Sequence, residues 1–324
     1  MTLHEEFEAL FRGEMEADEG RKLLSRLYER GESAQEIAEV AEVMRSHAIE
    51  LPVSEDLRDE LIDNCGTGGD QSGTFNISTT ASLLLAACGL YVAKHGNRSI
   101  TSKSGSADML EALGLRLDHE PLSIVRMIED TGFGFLFAQR FHPAMKHIMP
   151  IRKSLPHRTI FNILGPLTNP ARPKRQLIGV FSADFAPKMA EAMRLAGAKS
   201  VLVVSSADGL DEISIAAPTF GSMLHEGGID EIEMTPEDAK LPYAPLSMLT
   251  GGDSVYNAKI AWEILAGQIT DGRRDVVVLN AAAALQVAGR ASSLAEGAEI
   301  ALEAIQTGRA KERLKKIIDV SEKL

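Results

Sequence analysis

Asp63-Asn64-Cys65-Gly66-Thr67-Gly68-Gly69-Asp70-Gln71-Ser72-Gly73-Thr74-Phe75-Asn76-Ile77-Ser78-Thr79-Thr80 is the stretch on which the reading of this chain turns. It follows a short apolar run, Leu61-Ile62, and leads into an apolar helix, Ala81 to Ala87, that Gly89 can close. A glycine-rich turn between strand and helix lets backbone N–H groups converge on a small anion, with the positive end of the helix dipole behind them. Asn76, Ser78 and Thr79 add side-chain donors where the helix begins. Neither standard nucleotide fingerprint fits: no Gly-Lys-Ser/Thr closes a P-loop, and Gln71 stands where a third Rossmann glycine would be. Taken alone, the stretch reads equally well as a turn followed by an N-cap.

The rest of the chain shifts that balance. Its 324 residues are enough for one large domain and a smaller one, and 44% hydrophobic with 25% charged residues is the composition of an ordinary soluble globule. No opening apolar segment has the form of a signal peptide, and no run reaches membrane-spanning length. Cys65 and Cys88 show no metal-ligand spacing and no disulfide framework, which fits a reducing cytoplasm. A formal net charge of −12 argues against a general nucleic-acid or anionic-membrane binder.

The distribution of charge says more than its sum. Residues 71–107 contain no Asp or Glu but hold Lys94, His95, Arg98 and Lys103. Residues 131–183 also lack acids while carrying Arg140, Lys146, Arg152, Lys153, Arg158, Arg172, Lys174 and Arg175. With 46 acids in the chain, about five would fall in the first window and about seven in the second by proportion. Charge-poor core segments account for part of the first window; the second, with its many cations, reads as a wall of an anion site.

The first sixty residues read as helices. Thr2 with Glu5, and Ser33 with Glu36, have capping-box spacing, and Ile37, Val40, Ala41, Met44 and Ala48 form one apolar face at helical period, as core or as a helix–helix interface. From Leu61 short apolar runs alternate with helices. Strands are expected at Leu61–Asn64, Tyr91–Ala93, Phe133–Phe137, Gln176–Phe181, Val201–Ser205 and Val276–Leu279; helices at Ser106 to Leu113, Pro187 to Ala196, Val255 to Ala266 and twice near the C-terminus. This alternation predicts an α/β fold: a large domain with a mostly parallel central sheet flanked by helices, and a small, discontinuous all-helical N-terminal domain. Residues 1–60 would form the helical domain, joined by roughly 143–173, where prolines interrupt the rhythm; residues 61–142 and 174–324 would form the α/β domain.

Four further segments accompany the glycine loop: Lys94-His95-Gly96-Asn97-Arg98-Ser99 after a strand, Ser104-Gly105-Ser106-Ala107-Asp108 opening a helix, Arg152 ahead of Thr159-Ile160-Phe161-Asn162-Ile163-Leu164-Gly165-Pro166-Leu167-Thr168-Asn169-Pro170, and Asp208-Gly209-Leu210-Asp211-Glu212 past a strand. α/β proteins place ligands beyond the carboxyl ends of their strands. Adjacent carboxylates there suit Mg²⁺, a hard cation that often bridges to phosphates, although Asp211-Glu212 alone also reads as a solvated acidic turn. His95 is as readily a packing residue as a proton carrier.

Together these segments resemble the anthranilate phosphoribosyltransferases over nearly the whole chain, most densely from Asp63 to Glu111 and from Arg152 to Pro170. The resemblance implies transfer of a phosphoribosyl group from phosphoribosyl pyrophosphate (PRPP) to anthranilate in tryptophan biosynthesis, in the cytoplasm, by a homodimer associated through the helical domain. It implies that PRPP contacts Gly66, Gly69, Asp70, Thr74, Asn76, Ile77, Ser78, Thr79, Lys94, His95, Gly96, Asn97, Arg98, Ser99, Ile100, Thr101, Ser102 and Ser106, with Lys94 and Ser106 stabilising the leaving group. Gly66, Asn97 and Arg152 would contact anthranilate, and Ser78, Asp211 and Glu212 would hold Mg²⁺. One departure is Leu155-Pro156-His157-Arg158-Thr159, where the family has Leu-Gly-x-Arg-Thr; proline removes an N–H and fixes φ. The alternatives are a pyrimidine nucleoside phosphorylase on a related fold, whose site carries Lys-His-Ser where this chain reads Lys94-His95-Gly96-Asn97, and a non-enzymatic nucleic-acid-binding paralogue, which should show eroded loop motifs and a basic surface.

Overall fold

A computed structural model describes residues 1–68, 72–99 and 103–324. Three helices open the chain: α1 (Leu3–Arg12), α2 (Ala17–Arg30) and α3 (Ala34–Ser46). α1 and α3 begin at the expected capping boxes. Glu5 N–H donates to Thr2 Oγ1 at 3.2 Å while Thr2 N–H donates to Glu5 Oε2 at 2.8 Å, and Ser33 and Glu36 repeat the exchange. Such an exchange satisfies two amides that a helix start otherwise leaves without partners. A short α4 (Glu55–Glu60) then feeds the chain into the sheet.

The sheet is built from strand–helix units. β1 (Leu61–Gly66) leads through α5 (Ile77–Ala87) to β2 (Tyr91–Gly96), which leads through α6 (Ser106–Ala112) and α7 (Pro121–Thr131) to β3 (Phe133–Phe137). The chain leaves the sheet through α8 (Ala138–Phe141) and α9 (Met145–Lys153), and returns at β4 (Arg175–Gly179). α10 (Ala186–Leu195) connects it to β5 (Ser200–Ser206). A hairpin follows, β6 (Thr219–His225) and β7 (Gly228–Met234), then α11 (Ser254–Leu265), α12 (Gly272–Val287), α13 (Leu294–Gln306) and α14 (Arg309–Lys323). The seven strands lie in the order β3-β2-β1-β4-β5-β6-β7, the first five parallel and the last two antiparallel. The winding reverses between β1 and β4, where Gly66 sits opposite Gly179. A reversal of this kind opens a crevice at the carboxyl ends of the strands.

Two expectations change. Val276–Leu279 is not a strand but lies inside α12, whose residues from Asp275 to Leu285 are all buried. A short β-branched run looks the same in a buried strand and a buried helix, and only its packing partners separate them. The β6–β7 hairpin was not anticipated. It turns through Glu226 and Gly227, both at positive φ (50° and 82°), the backbone of a tight two-residue loop, and β7 carries Asp230, Glu231 and Glu233 as an exposed edge.

Buried side chains form one cluster around α5 and α12, a second that joins Phe7, Leu24 and Ile37 to Ile148, Ile160 and Leu164, and a smaller third that includes Leu51, Leu61, Ile124 and Phe141. The second continues onto Ile178, Val180, Val201 and Val203 of the sheet. Ile37, Val40, Ala41 and Met44 are therefore spent within the chain, with α3 packed on α10. That agrees with their expected role as core and as a helix–helix contact.

Two groups anchor this scaffold. Asn280 of α12 donates to Ile213 O and Val276 O, both at 2.9 Å, and accepts from Ile213 N–H at 3.0 Å. Asn280→Leu leaves the buried backbone of Ile213 without partners and should cost about 2–4 kcal/mol in urea unfolding; a loss below about 0.5 kcal/mol would contradict the assignment. His142, following α8, packs its ring 5.2 Å from that of His95. Burial, and then His95, push its pKa down to about 3. Its folded pKa lies below the unfolded value near 6.5, so the unfolded chain binds more protons in between. Stability should hold above pH ~6.5 and fall as the pH drops toward ~3, and His142→Phe should flatten that decline. Equal acid sensitivity of the two proteins in urea titrations at pH ~7 and ~4.5 would contradict it.

Candidate functional site

The crevice at the carboxyl ends of β1, β2 and β5 gathers most of the residues singled out in the sequence. Beyond β5, Asp211 and Glu212 turn back toward the loop between β1 and α5. Gly68 N–H donates to Asp211 Oδ2 at 2.7 Å, and Ser78 N–H, in the first turn of α5, donates to Glu212 Oε1 at 3.1 Å. The acid pair thus faces a helix N-terminus, where a negative charge is favoured. Close approach demands glycine on the two flanking strands: a Cβ on Gly66 would lie 2.3 Å from Asp211 Oδ2, and one on Gly179 would lie 1.6 Å from Asp211 O. Burial, and then the Asp211 charge beside it, raise the Glu212 carboxyl to about 8. Lys94 and the Ser78 N–H work in the opposite direction.

Beneath the pair, Asn64 organises the floor. Its Nδ2 donates to Ser78 O at 2.8 Å, its Oδ1 accepts from Ser82 Oγ at 2.5 Å, and its carbonyl accepts from Lys94 Nζ. Lys94 is only 2% exposed, so its ammonium acts from below the crevice floor. Ile77 and Thr79 are buried in the same turn, with Ile77 N–H donating to Phe75 O at 2.8 Å.

A second set of contacts joins the loop after β2. Asn97 O accepts from Ala107 N–H and Ser106 Oγ, both at 3.2 Å, and Ser99 N–H donates to Asp108 Oδ2 at 3.0 Å. Arg98 is paired with Glu111 and Asp108 and lies 5.5 Å from the centre of the Phe137 ring. Its charge is therefore answered by acids just outside the window that lacked them. Asn76 bridges the two sets: Nδ2 donates to Ser104 O at 3.2 Å, and Oδ1 accepts from Ser104 Oγ at 3.3 Å and from Asn257 Nδ2 at 2.9 Å. Gly69, Asp70, Ile100, Thr101 and Ser102 lie outside the described residues.

Arg152 stands in the last turn of α9, with its guanidinium 5.4 Å from the centre of the Phe161 ring and Nη1 3.7 Å from Met149 Sδ. Burial lowers its proton affinity. Among the described residues no carboxylate lies within 4 Å of it, nor of Lys94, Lys103, Lys146, Lys153, Arg158 or Arg175, whereas Arg98, Arg140, Arg172 and Lys174 are all paired. No direct contact joins Arg152 to the acid pair among the described residues; His95 of β2 has its Nδ1 3.0 Å from Gly165 O, in the segment after Phe161. That carbonyl can only accept, so Nδ1 is the protonated nitrogen. Burial lowers the His95 pKa, leaving it neutral near pH ~7.

The Pro156 departure is absorbed locally. Pro156 has neither a cis bond nor positive φ, His157 stacks on Tyr28 at 4.2 Å with Nε2 3.0 Å from Ser25 Oγ, and the Arg158 guanidinium sits 4.4 Å from the Phe181 ring centre. Two supports had no role in the sequence reading. Asn169 Nδ2 donates to Asp63 Oδ2 at 2.9 Å and to Ala93 O at 2.8 Å, stitching the 160–170 segment to β1 and β2. Thr74 pairs with Thr250, and Phe75 N–H donates to Leu249 O at 2.9 Å, so residues 249–257 clamp the loop ahead of α5. Asn169 stood in a quoted motif; nothing local marked Thr250 or Asn257.

Residues 58–311 match the model of the glycosyl transferase family, a/b domain. Anthranilate phosphoribosyltransferases of Rubrobacter xylanophilus and Xanthobacter autotrophicus are 45% and 47% identical to the chain, each over 98% of it and 92% and 91% of their own lengths. The crystal structure of anthranilate phosphoribosyltransferase from Thermus thermophilus superposes with a TM-score of 0.93 at 42% identity, covering 99% of this chain and 94% of that one. The Saccharomyces cerevisiae enzyme in complex with PRPP and Mg gives a TM-score of 0.88 at 29% identity, with 99% and 93% covered. With its winding reversal, glycine loop and acid pair in place, the chain belongs to the anthranilate phosphoribosyltransferase family.

Proposed function

We propose that this protein transfers the 5-phosphoribosyl group of PRPP to the amine of anthranilate, giving N-(5-phosphoribosyl)anthranilate and pyrophosphate, the second step of tryptophan biosynthesis. The observation that carries the reading is the acid pair Asp211–Glu212, held by the amides of Gly68 and Ser78 at the winding reversal. Relatives named anthranilate phosphoribosyltransferase support it, among them Saccharomyces cerevisiae structures in complex with PRPP and Mg and with 4-fluoroanthranilate.

Asp211, Glu212 and the Ser78 hydroxyl present oxygen donors of the kind Mg²⁺ takes. When bound, Mg²⁺ neutralises charge on the pyrophosphate of the substrate. The chain's own residues do the rest. Gly66, Gly69, Asp70 and Thr74 would contact PRPP, and the first turn of α5, with Asn76, Ile77, Ser78 and Thr79, would meet its pyrophosphate with amides and hydroxyls. Asn76, already bonded to Ser104 and Asn257, sets the spacing between this loop and the one from Lys94 to Ser106. Lys94, buried beneath the acid pair, supplies a fixed positive charge that favours the leaving group. Ser106, whose one hydroxyl donor lies on Asn97 O, would turn it to the leaving group at the mouth of the second loop. Well-aimed donors of this kind contribute about 3–4 kcal/mol each to lowering a barrier. Arg152 answers the anthranilate carboxylate, with Asn97 and Gly66 completing that side, and the weak aromatic amine is held in line with C1 of the ribose. No nucleophilic side chain is required.

The partition into a helical unit (1–60 with 143–173) and an α/β unit (61–142 and 174–324) gives each substrate one wall, and closure between them would exclude water. We place the enzyme in the cytoplasm as a homodimer through the helical unit, on the family resemblance; light scattering of purified protein tests the assembly. Among the described residues no helix is long and apolar enough to cross a membrane.

Loss of anthranilate fluorescence on adding PRPP and Mg²⁺, compared with phosphorolysis of thymidine, tests the activity against its nearest rival. Arg152→Ala should raise the KM for anthranilate about 10–100-fold, the worth of a charge-assisted bond, and leave that for PRPP within about twofold. Equal effects on both substrates would reject the role. Asp211→Asn with Glu212→Gln should stay folded by circular dichroism and lose magnesium-dependent turnover. An unchanged magnesium titration would refute the metal assignment.

A further inference from the structure

At the opposite end of the sheet, beside the amino ends of β4 and β5, a cavity of about 190 Å³ opens between α3, α4, residues 166–174 and the end of α10. It is lined by Arg45, Arg58, Arg172 and Lys174, with Glu42 as its one carboxylate. This volume is well above the 10–15 Å³ or so that a single water needs. The Arg45 side chain is only 10% exposed, and its Nε and that of Arg58 are buried without a hydrogen-bond partner.

The acids nearby do not meet this demand. Glu42 Oε2 lies 3.4 Å from Arg45 Nε, outside hydrogen-bond geometry, and Glu42 Oε1 lies 3.8 Å from Arg172 Nη1. Glu50 lies 3.5 Å from Arg58 Nη2. Both glutamates are mostly solvated, 58% and 67% exposed, and exposed pairs contribute little. Asp59 is taken up by Lys174 and Lys199, at 2.6 and 2.7 Å. Arg172 stands in the left-handed region, φ 49°, a conformation that costs a non-glycine residue about 1–3 kcal/mol and persists where surroundings impose it. Burial, and the nearby Arg172, lower the proton affinity of Arg45 despite Glu42. Three guanidinium groups around one polar cavity match the oxygens of a tetrahedral anion.

We propose that this cavity is a second anion site, taking a small phosphate-type oxyanion on Arg45, Arg58 and Arg172. None of its three arginines belongs to the crevice that holds the acid pair, and the proposal does not rest on the transferase reading. An anion there links α3 to the strand-side connections, bracing the helical segment against the sheet.

Because the catalytic loop also attracts anions, binding is read with that loop saturated by magnesium pyrophosphate. Calorimetric titration of the full chain with inorganic phosphate should then show a remaining site, weakened at least about tenfold in Arg45→Gln. Arg172→Gly, which keeps the left-handed backbone while removing the charge, should weaken it similarly. Crystals soaked in selenate should show an anomalous peak within hydrogen-bond reach of Arg45 and Arg172. No remaining site, equal affinity in both variants, or a cavity without the peak would overturn the proposal.

Discussion

Two carboxylate–amide bonds, Asp211 to Gly68 and Glu212 to Ser78, tie the far end of β5 to the β1–α5 connection and give the crevice its shape. Burial penalises the charge of Glu212, and the penalty is offset in part by the Ser78 amide at the start of α5 and by the Lys94 ammonium below. The offset is incomplete, which is why Glu212 prefers a proton. The glycines at 66 and 179 belong to the same constraint, because any side chain there would occupy the position of Asp211.

Around that pair, side-chain amides carry the long-range connections. Asn64 joins β1 to α5, Asn169 joins residues 160–170 to β1 and β2, Asn76 joins the first loop to the second and to α11, and Asn280 fixes the backbone beside Glu212. An amide donates and accepts at once, so a single buried Asn can satisfy groups from two segments without importing charge. The loops keep irregular backbone, yet their spacing is set by the scaffold beneath them.

Charge tells a similar story in three dimensions. The two acid-free windows mark cationic segments, but folding returns Asp108 and Glu111 to Arg98, Glu120 to Arg140, and Asp59 to Lys174. Among the described residues, Lys94 and Arg152 at the crevice receive no such answer. At the other end of the sheet the arginine cluster meets only exposed acids.

Local chemistry determined a good deal by itself. The capping boxes at Thr2 and Ser33, the strand–glycine loop–helix unit from Leu61 to Ala87, and the alternation that makes a mostly parallel sheet all rest on contacts within a few residues, where side-chain type and spacing suffice. The grouping of Gly66, Lys94, Asn97, Ser106, Asp211 and Glu212 into one site came from the family resemblance of their motifs, not from local chemistry. What only tertiary structure decided depends on partners distant in the chain. Val276–Leu279 became helix because its whole circumference is buried against α5 and α13, and β6 with β7 formed because the edge of β5 offered a ladder. Ile37 to Met44 turned inward because α10 lies over them. Thr250 and Asn257 reached the loop before α5 across more than 170 residues, a distance over which no local pattern carries information.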